Sequence, residues 1–172
     1  MANDGKFLNM EGGLPKQESA IAASAGAGDA NKIPKLDASG RLDGSMMPVG
    51  LGAETKTLTA SEALTAGNIV NIWNDAGTPK VRKADATAAG KQAHGFVLAN
   101  VANAAQATVY LEGNVTGLAG MTPGANQFLS AATPGARVEV APSAAGNVAQ
   151  LVGIAVSATE MTFEPNDAIV LA

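Results

Sequence analysis

Apolar and polar residues alternate in short runs along most of this chain, and the runs are cut by turn residues at close intervals. From Thr57 onward the two-residue period predicts strands near Ile69–Trp73, Pro79–Lys83, Ala93–Leu98, Thr108–Glu112 and Val115–Leu118. A second set is predicted near Gln127–Ser130, Arg137–Ala141, Leu151–Val156, Met161–Phe163 and Ala168–Leu171. Turn chemistry agrees: Asn74-Asp75-Ala76-Gly77, Pro134-Gly135 and Glu164-Pro165-Asn166-Asp167 each have the composition to close a hairpin. Many short strands with no long helical stretch predict an all-β fold, a small β-barrel or sandwich.

The two sets echo each other. LTAGNIVNI (Leu64–Ile72) matches MTPGANQFL (Met121–Leu129), and KVRKAD (Lys80–Asp85) matches RVEVAP (Arg137–Pro142). The turn glycines Gly67 and Gly124 and the valines Val81 and Val138 share one offset, 124 − 67 = 138 − 81 = 57. The later glycines, Gly95 and Gly153, are offset by 153 − 95 = 58, one insertion away. This predicts two pseudo-repeated β-units.

Residues 1–55 have another texture. Glycines and the prolines Pro15, Pro34 and Pro48 recur too often for a long helix or a central strand. Gln17–Ala25 has the composition for two helical turns, although short Ala-rich helices are marginal alone. Isolated apolar residues stand along the segment: Phe7, Leu14, Ile33, Leu36, Leu42, Met46, Met47, Val49 and Leu51. A solvated linker has little use for such residues, so an extended arm that orders against a partner is expected over 1–55, ahead of a β-barrel domain over 56–172.

Composition sharpens this picture. Hydrophobic residues make up 47 %, but aromatics only 3 %, so the core is built of small aliphatic side chains and association would strengthen it. The net charge of −4 and the scattered cations provide no basic stripe, which argues against nucleic-acid binding. The absence of cysteine excludes thiolate and disulfide chemistry. No apolar run approaches the ~20 residues of a membrane helix, and the first residues lack the apolar region of a signal peptide, so a soluble, non-secreted chain is expected.

Candidate chemistry is thin. His94 is the single histidine, placed in the predicted strand AHGFVL, where a buried or half-buried structural role is expected. Asp37-Ala38-Ser39-Gly40 fails the spacing of a calcium loop, because Arg41 stands where a ligand belongs; a tight reversal is expected instead. Gly26-Ala27-Gly28 lacks the third glycine of a dinucleotide fingerprint and follows no strand. No Gly-x-Ser-x-Gly elbow exists. Hence no catalytic, cofactor or metal residues are assigned. Core packing is the default expectation for Trp73 and Tyr110; Trp73, beside a turn, is the alternative candidate for an exposed interface contact outside the arm.

Taken in order, LTAGNIVNI, KVRKAD, AHGFVLANV, ATVYLEGNVTGL, VGIAVSATEM and DAIVLA resemble the small β-barrel decoration (cement) proteins of tailed-phage capsids. The segment AGAGDANKIPKLDASGRLDGSMMPVGLG is similar to one found ahead of such barrels in head-decoration and head-fibre proteins. The resemblance covers roughly residues 20–172. It implies a non-enzymatic virion protein, made in the host cytoplasm and bound as a homotrimer to the major capsid protein on the outer surface of the shell. No cofactor, nucleic acid or membrane is implied. The alternative expectation is a head-fibre or adhesin module that recognises a host-surface glycan.

Overall fold

The computed structural model describes residues 5–47 and 53–172. The chain divides into two units, Met1–Gly52 and Ala53–Ala172. In the first, β1 (Lys6–Glu11) and β2 (Leu14–Ser19) form an antiparallel hairpin. Its two-residue turn, Gly12-Gly13, has φ of +62° and +84°, the geometry whose twist matches that of the flanking strands. The helical turns expected over Gln17–Ala25 do not form. Gln17–Ser19 belong to β2, and Ile21 bridges Pro34 through bonds with Ile33 and Lys35, which outcompete a helix too short to nucleate. Two 3-10 turns follow, at Ala27–Asp29 and Gly44–Met46. The segment is therefore not extended throughout.

The second unit is all-β. Its strands are β3 (Thr55–Ala60), β4 (Ile69–Asp75), β5 (Thr78–Lys83), β6 (Gly95–Phe96) and β7 (Gln106–Tyr110). There follow β8 (Gly113–Val115), β9 (Asn126–Leu129), β10 (Arg137–Val138), β11 (Val148–Ala149), β12 (Leu151–Ala155), β13 (Met161–Phe163) and β14 (Ile169–Val170). The first five close a barrel in the order β3-β5-β4-β6-β7, sealed by the parallel pair β3–β5 and the antiparallel pair β3–β7. A second five-stranded sheet, β10-β9-β12-β13-β8, stays open, and β11 and β14 pair separately. The boundary read at 55/56 falls just inside β3, whose Thr55 already faces Tyr110.

Alternation along β4 divides the interior into two cores. Val70 points into the barrel with Ala60, Val81, Val97, Ala107 and Val109, an aliphatic filling narrow enough to close without aromatics. Ile69 points the other way and joins Phe96, Leu129, Val152, Met161 and Phe163 between barrel and open sheet. Here the few aromatics gather: Phe96 stacks on Tyr110 and tilts against Phe163, each at 5.3 Å between ring centroids.

The hairpin turn Asn74–Gly77 forms as expected, and Pro134-Gly135 lies in the connection from β9 to β10. Glu164–Asp167 closes no hairpin: β13 pairs with β12 and β8, while β14 pairs with β11. The strand expected over Ala93–Leu98 shortens to Gly95–Phe96, although His94 and Val97 still donate backbone bonds to Val70 and Asn68.

Candidate functional site

Two surfaces hold the residues singled out in the sequence. On the N-terminal unit, Phe7 is half-buried in β1 and Leu14 opens β2, 72 % exposed. Ile33, Leu36, Leu42 and Met47 are exposed and Met46 is half-buried. Val49 and Leu51 lie outside the described residues. No described residue of 5–47 is buried. Leu8 and Met10, 72 % and 66 % exposed, belong to the same set and were missed. Their signal was present, since Lys-Phe-Leu-Asn-Met-Glu ahead of Gly-Gly is a hairpin arm.

Short polar bonds, not a core, shape this unit. Asp37 Oδ1 accepts from the N–H groups of Ser39 (2.8 Å) and Arg41 (2.9 Å), making the expected reversal and occupying the carboxylate. Asp43 caps the 3-10 turn by accepting from the hydroxyl and N–H of Ser45, which hold its carboxyl below the ordinary aspartate range. The Ser24 N–H donates to Ser45 Oγ at 2.8 Å and ties the end of the hairpin segment to that turn.

The second surface is the outer face of β4–β5. Because Val70 faces inward, Asn71 and Trp73 face outward, opposite Arg82 and Lys80. Arg82 lies 4.6 Å above the Trp73 ring centroid, while the indole N–H donates to Ser61 Oγ at 3.2 Å. Arg82 Nε donates to Asn71 Oδ1 (3.0 Å) and Nη2 to the Gly90 carbonyl (2.8 Å). Asn71, 1 % exposed, donates to the Gln92 carbonyl at 2.8 Å. Trp73 is thus half-buried with one ring face covered.

His94 is exposed rather than buried, because the strand core has shifted to Gly95–Phe96. Its Nδ1 accepts from the Ile72 N–H at 3.1 Å, leaving the proton to Nε2 when the ring is neutral. The ring borders a shallow recess with Gln92, Gln150, Asn166 and Asp167. Gln150 is fully engaged there: Oε1 accepts from Ala93 N–H at 2.7 Å, and Nε2 donates to the carbonyls of Ala93 and Asn166, both at 3.1 Å. The amide acts as a clamp between two loops. Asn71 is the side chain within hydrogen-bonding reach of His94. No group of three or more His, Asp or Glu side chains converges among the described residues, and no described helix is long and apolar enough to cross a membrane. Catalysis by His94 would need a partner nucleophile or orienting carboxylate, neither of which is bonded to it.

Comparison of the chain with protein-family models, with curated proteins and with solved structures finds no match.

Proposed function

We propose that this chain is a structural virion protein that binds the outside of a tailed-phage capsid as a trimer and reinforces contacts between capsomers. The observation that carries the reading is the N-terminal unit, which displays Leu14, Ile33, Leu36, Leu42 and Met47 with no core of its own. Such a surface gains stability only when something covers it, and each large side chain buried contributes about 1.5–3 kcal/mol before ordering entropy is subtracted. Repetition of a weak contact over a shell, and within a trimer, makes it sufficient through avidity. A body whose polar clusters are closed on themselves fits a scaffold and not an enzyme.

The reading includes a body of two pseudo-repeated units. Begun at β5, the closed sheet runs β5-β4-β6-β7-β3, and the open one runs β10-β9-β12-β13-β8, so that strands matched by the sequence echo take the same place in each order. Gly67 and Gly124 have φ of +83° and +82° and donate to Val97 and Ala155. Val70 faces Gly95 as Gln127 faces Gly153. On this reading, one copy closed into a barrel and the other remained an open lid on it.

Co-sedimentation with expanded, undecorated phage heads, with procapsids as control, tests the function. Saturable binding to expanded heads is expected; binding to neither particle would remove the capsid reading.

A further inference from the structure

The two edges of the N-terminal hairpin differ. Antiparallel residues alternate between turning their backbone groups toward the partner strand and away from it. The Ala20 N–H donates to the Gly5 carbonyl at 2.7 Å, which sets the phase. Phe7, Asn9 and Glu11 therefore face β2 across from Glu18, Lys16 and Leu14, and Leu8 and Met10 turn N–H and C=O outward. No backbone bond among the described residues reaches those outward groups. On the other edge the outward positions are Pro15, Gln17 and Ser19; Pro15 in their row has no N–H to offer, and Ile33–Lys35 cover the chain just beyond Ser19. Proline and covering segments are the usual ways to blunt a strand edge. From Phe7 to Met10, β1 has neither.

We propose that β1 pairs edge to edge with β1 of a second copy of this chain, antiparallel about a twofold axis at Asn9, to give a sheet ordered β2-β1-β1-β2. The register follows from parity. Outward-facing residues must oppose outward-facing residues, so an axis at Asn9 sets Leu8 against Met10 of the second copy, and the reverse. All outward groups of Leu8 and Met10 are then bonded. One face gathers Leu8 and Met10 from both copies into a continuous apolar patch bounded by Pro15 and Gln17 of each hairpin. On the other face Phe7 meets Glu11 of the second copy, and no like charges oppose each other. An axis at Leu8 would instead set Lys6 against Met10 and break the patch. An isolated two-stranded hairpin is marginal in water, and two further strands with one apolar face supply what this one lacks. The pairing is independent of what the rest of the arm binds.

The chain has no cysteine, so single-cysteine variants of the full-length protein report the register cleanly. At the axis, Asn9 forms a non-hydrogen-bonded pair with its own copy, at about 4.5 Å between Cα atoms and within disulfide reach. Asn9→Cys in a glutathione redox buffer is expected to give a covalent dimer on a denaturing gel. Leu8→Cys, whose own copy lies two residues further along, is expected to give no more than about a tenth as much. Adding Met10→Pro to Asn9→Cys removes an outward N–H while sparing the bonds to β2, and is expected to reduce the dimer about tenfold. Absence of the Asn9→Cys dimer would overturn the proposal in favour of a different occupant of the edge. Equal yields from Asn9→Cys and Leu8→Cys, or no effect of Met10→Pro, would overturn it in favour of random collision.

Discussion

Gly153 lies where β12 crosses so close to β13 that a Cβ would collide with the Thr162 carbonyl oxygen, and its φ of +153° is one that side chains rarely adopt. Gly95 has a related constraint without the unusual φ, since a Cβ there would press on the Tyr110 carbonyl and Val109 Cγ1. At each glycine the nearest obstacle is a backbone carbonyl of a neighbouring strand, Thr162 or Tyr110, which cannot rotate away. Gly153→Ala is expected to cost about 3 kcal/mol or more, and Gly95→Ala about 1–3 kcal/mol, in urea unfolding. Loss of under about 0.5 kcal/mol in either would mean the strands separate readily at that point. Asp85, 7 % exposed, gives the body a pH dependence of known sign. Burial raises its carboxyl, but bonds from the Thr87 N–H and hydroxyl and from Lys91 outweigh it, and the folded value lies below the ordinary one. The folded state thus holds this proton less tightly than the unfolded chain does. The resulting stability is present above the unfolded aspartate range and is lost as pH falls through the folded value. Asp85→Asn is expected to lower stability at neutral pH by about 1 kcal/mol and to flatten its decline in acid. Parallel pH–stability curves for the two proteins would show that the carboxylate is not linked to folding.

The β4–β5 hairpin shows how far local chemistry carries. Its loop residues Ala76 and Gly77 have φ of +50° and +92°, the pair of left-handed conformations that a two-residue hairpin turn demands, and Asn74 Oδ1 accepts from the Gly77 N–H at 2.7 Å. Alanine is the misfit, because its Cβ is strained there. Ala76→Asn, which places asparagine before glycine, is expected to stabilise the body by about 0.5–1 kcal/mol, measured as a raised urea midpoint. An unchanged or lowered midpoint would mean that the turn contributes no strain. This turn was legible because its residues carry the geometry themselves, and Met161–Phe163 was legible because its alternation is complete over the strand. Other elements were not. β3 is Thr-Lys-Thr-Leu-Thr-Ala, a strand whose apolar face is reduced to Leu58 and Ala60 and whose place is fixed by β5 and β7, over twenty residues away. The strand expected over Ala93–Leu98 is likewise cut to Gly95–Phe96, the part that faces Ile69 and Val70 of β4, while Val97 keeps single bonds with Gly67 and Asn68. Among candidate residues, the place of Trp73 was not legible, because its cover by Arg82 depends on a cross-strand neighbour. The β1–β2 hairpin was overlooked because frequent Gly and Pro were read as arguments against strands, when Gly12-Gly13 was the signal for one.

At the scale of the whole molecule, the two units divide the physical work. The body from Ala53 to Ala172 contains every buried residue of the described chain, and its two cores are the source of its stability. The N-terminal unit holds its shape through turns and the Lys16–Glu11 and Lys32–Asp29 ion pairs, both exposed and worth little in water. Its exposed leucines, isoleucine and methionines represent free energy that is released only on contact. Removal of residues 1–52 should therefore leave the melting temperature of the body within about 3 °C of the full chain, since a change under 1 kcal/mol moves a domain of this size by no more than a few degrees. The cut must fall before Thr55, which pairs with Tyr110 and begins the seal of the barrel; a cut after Ser61 would remove β3 and open it. Under the proposed function the same truncation abolishes co-sedimentation with expanded heads, while Leu36→Asp and Leu42→Asp in the full chain weaken it stepwise without altering the melt. Undiminished binding by the truncated body would move the contact surface to the body, where Val140, Ile154, Val156 and Ile169 are among the exposed apolar residues to test next.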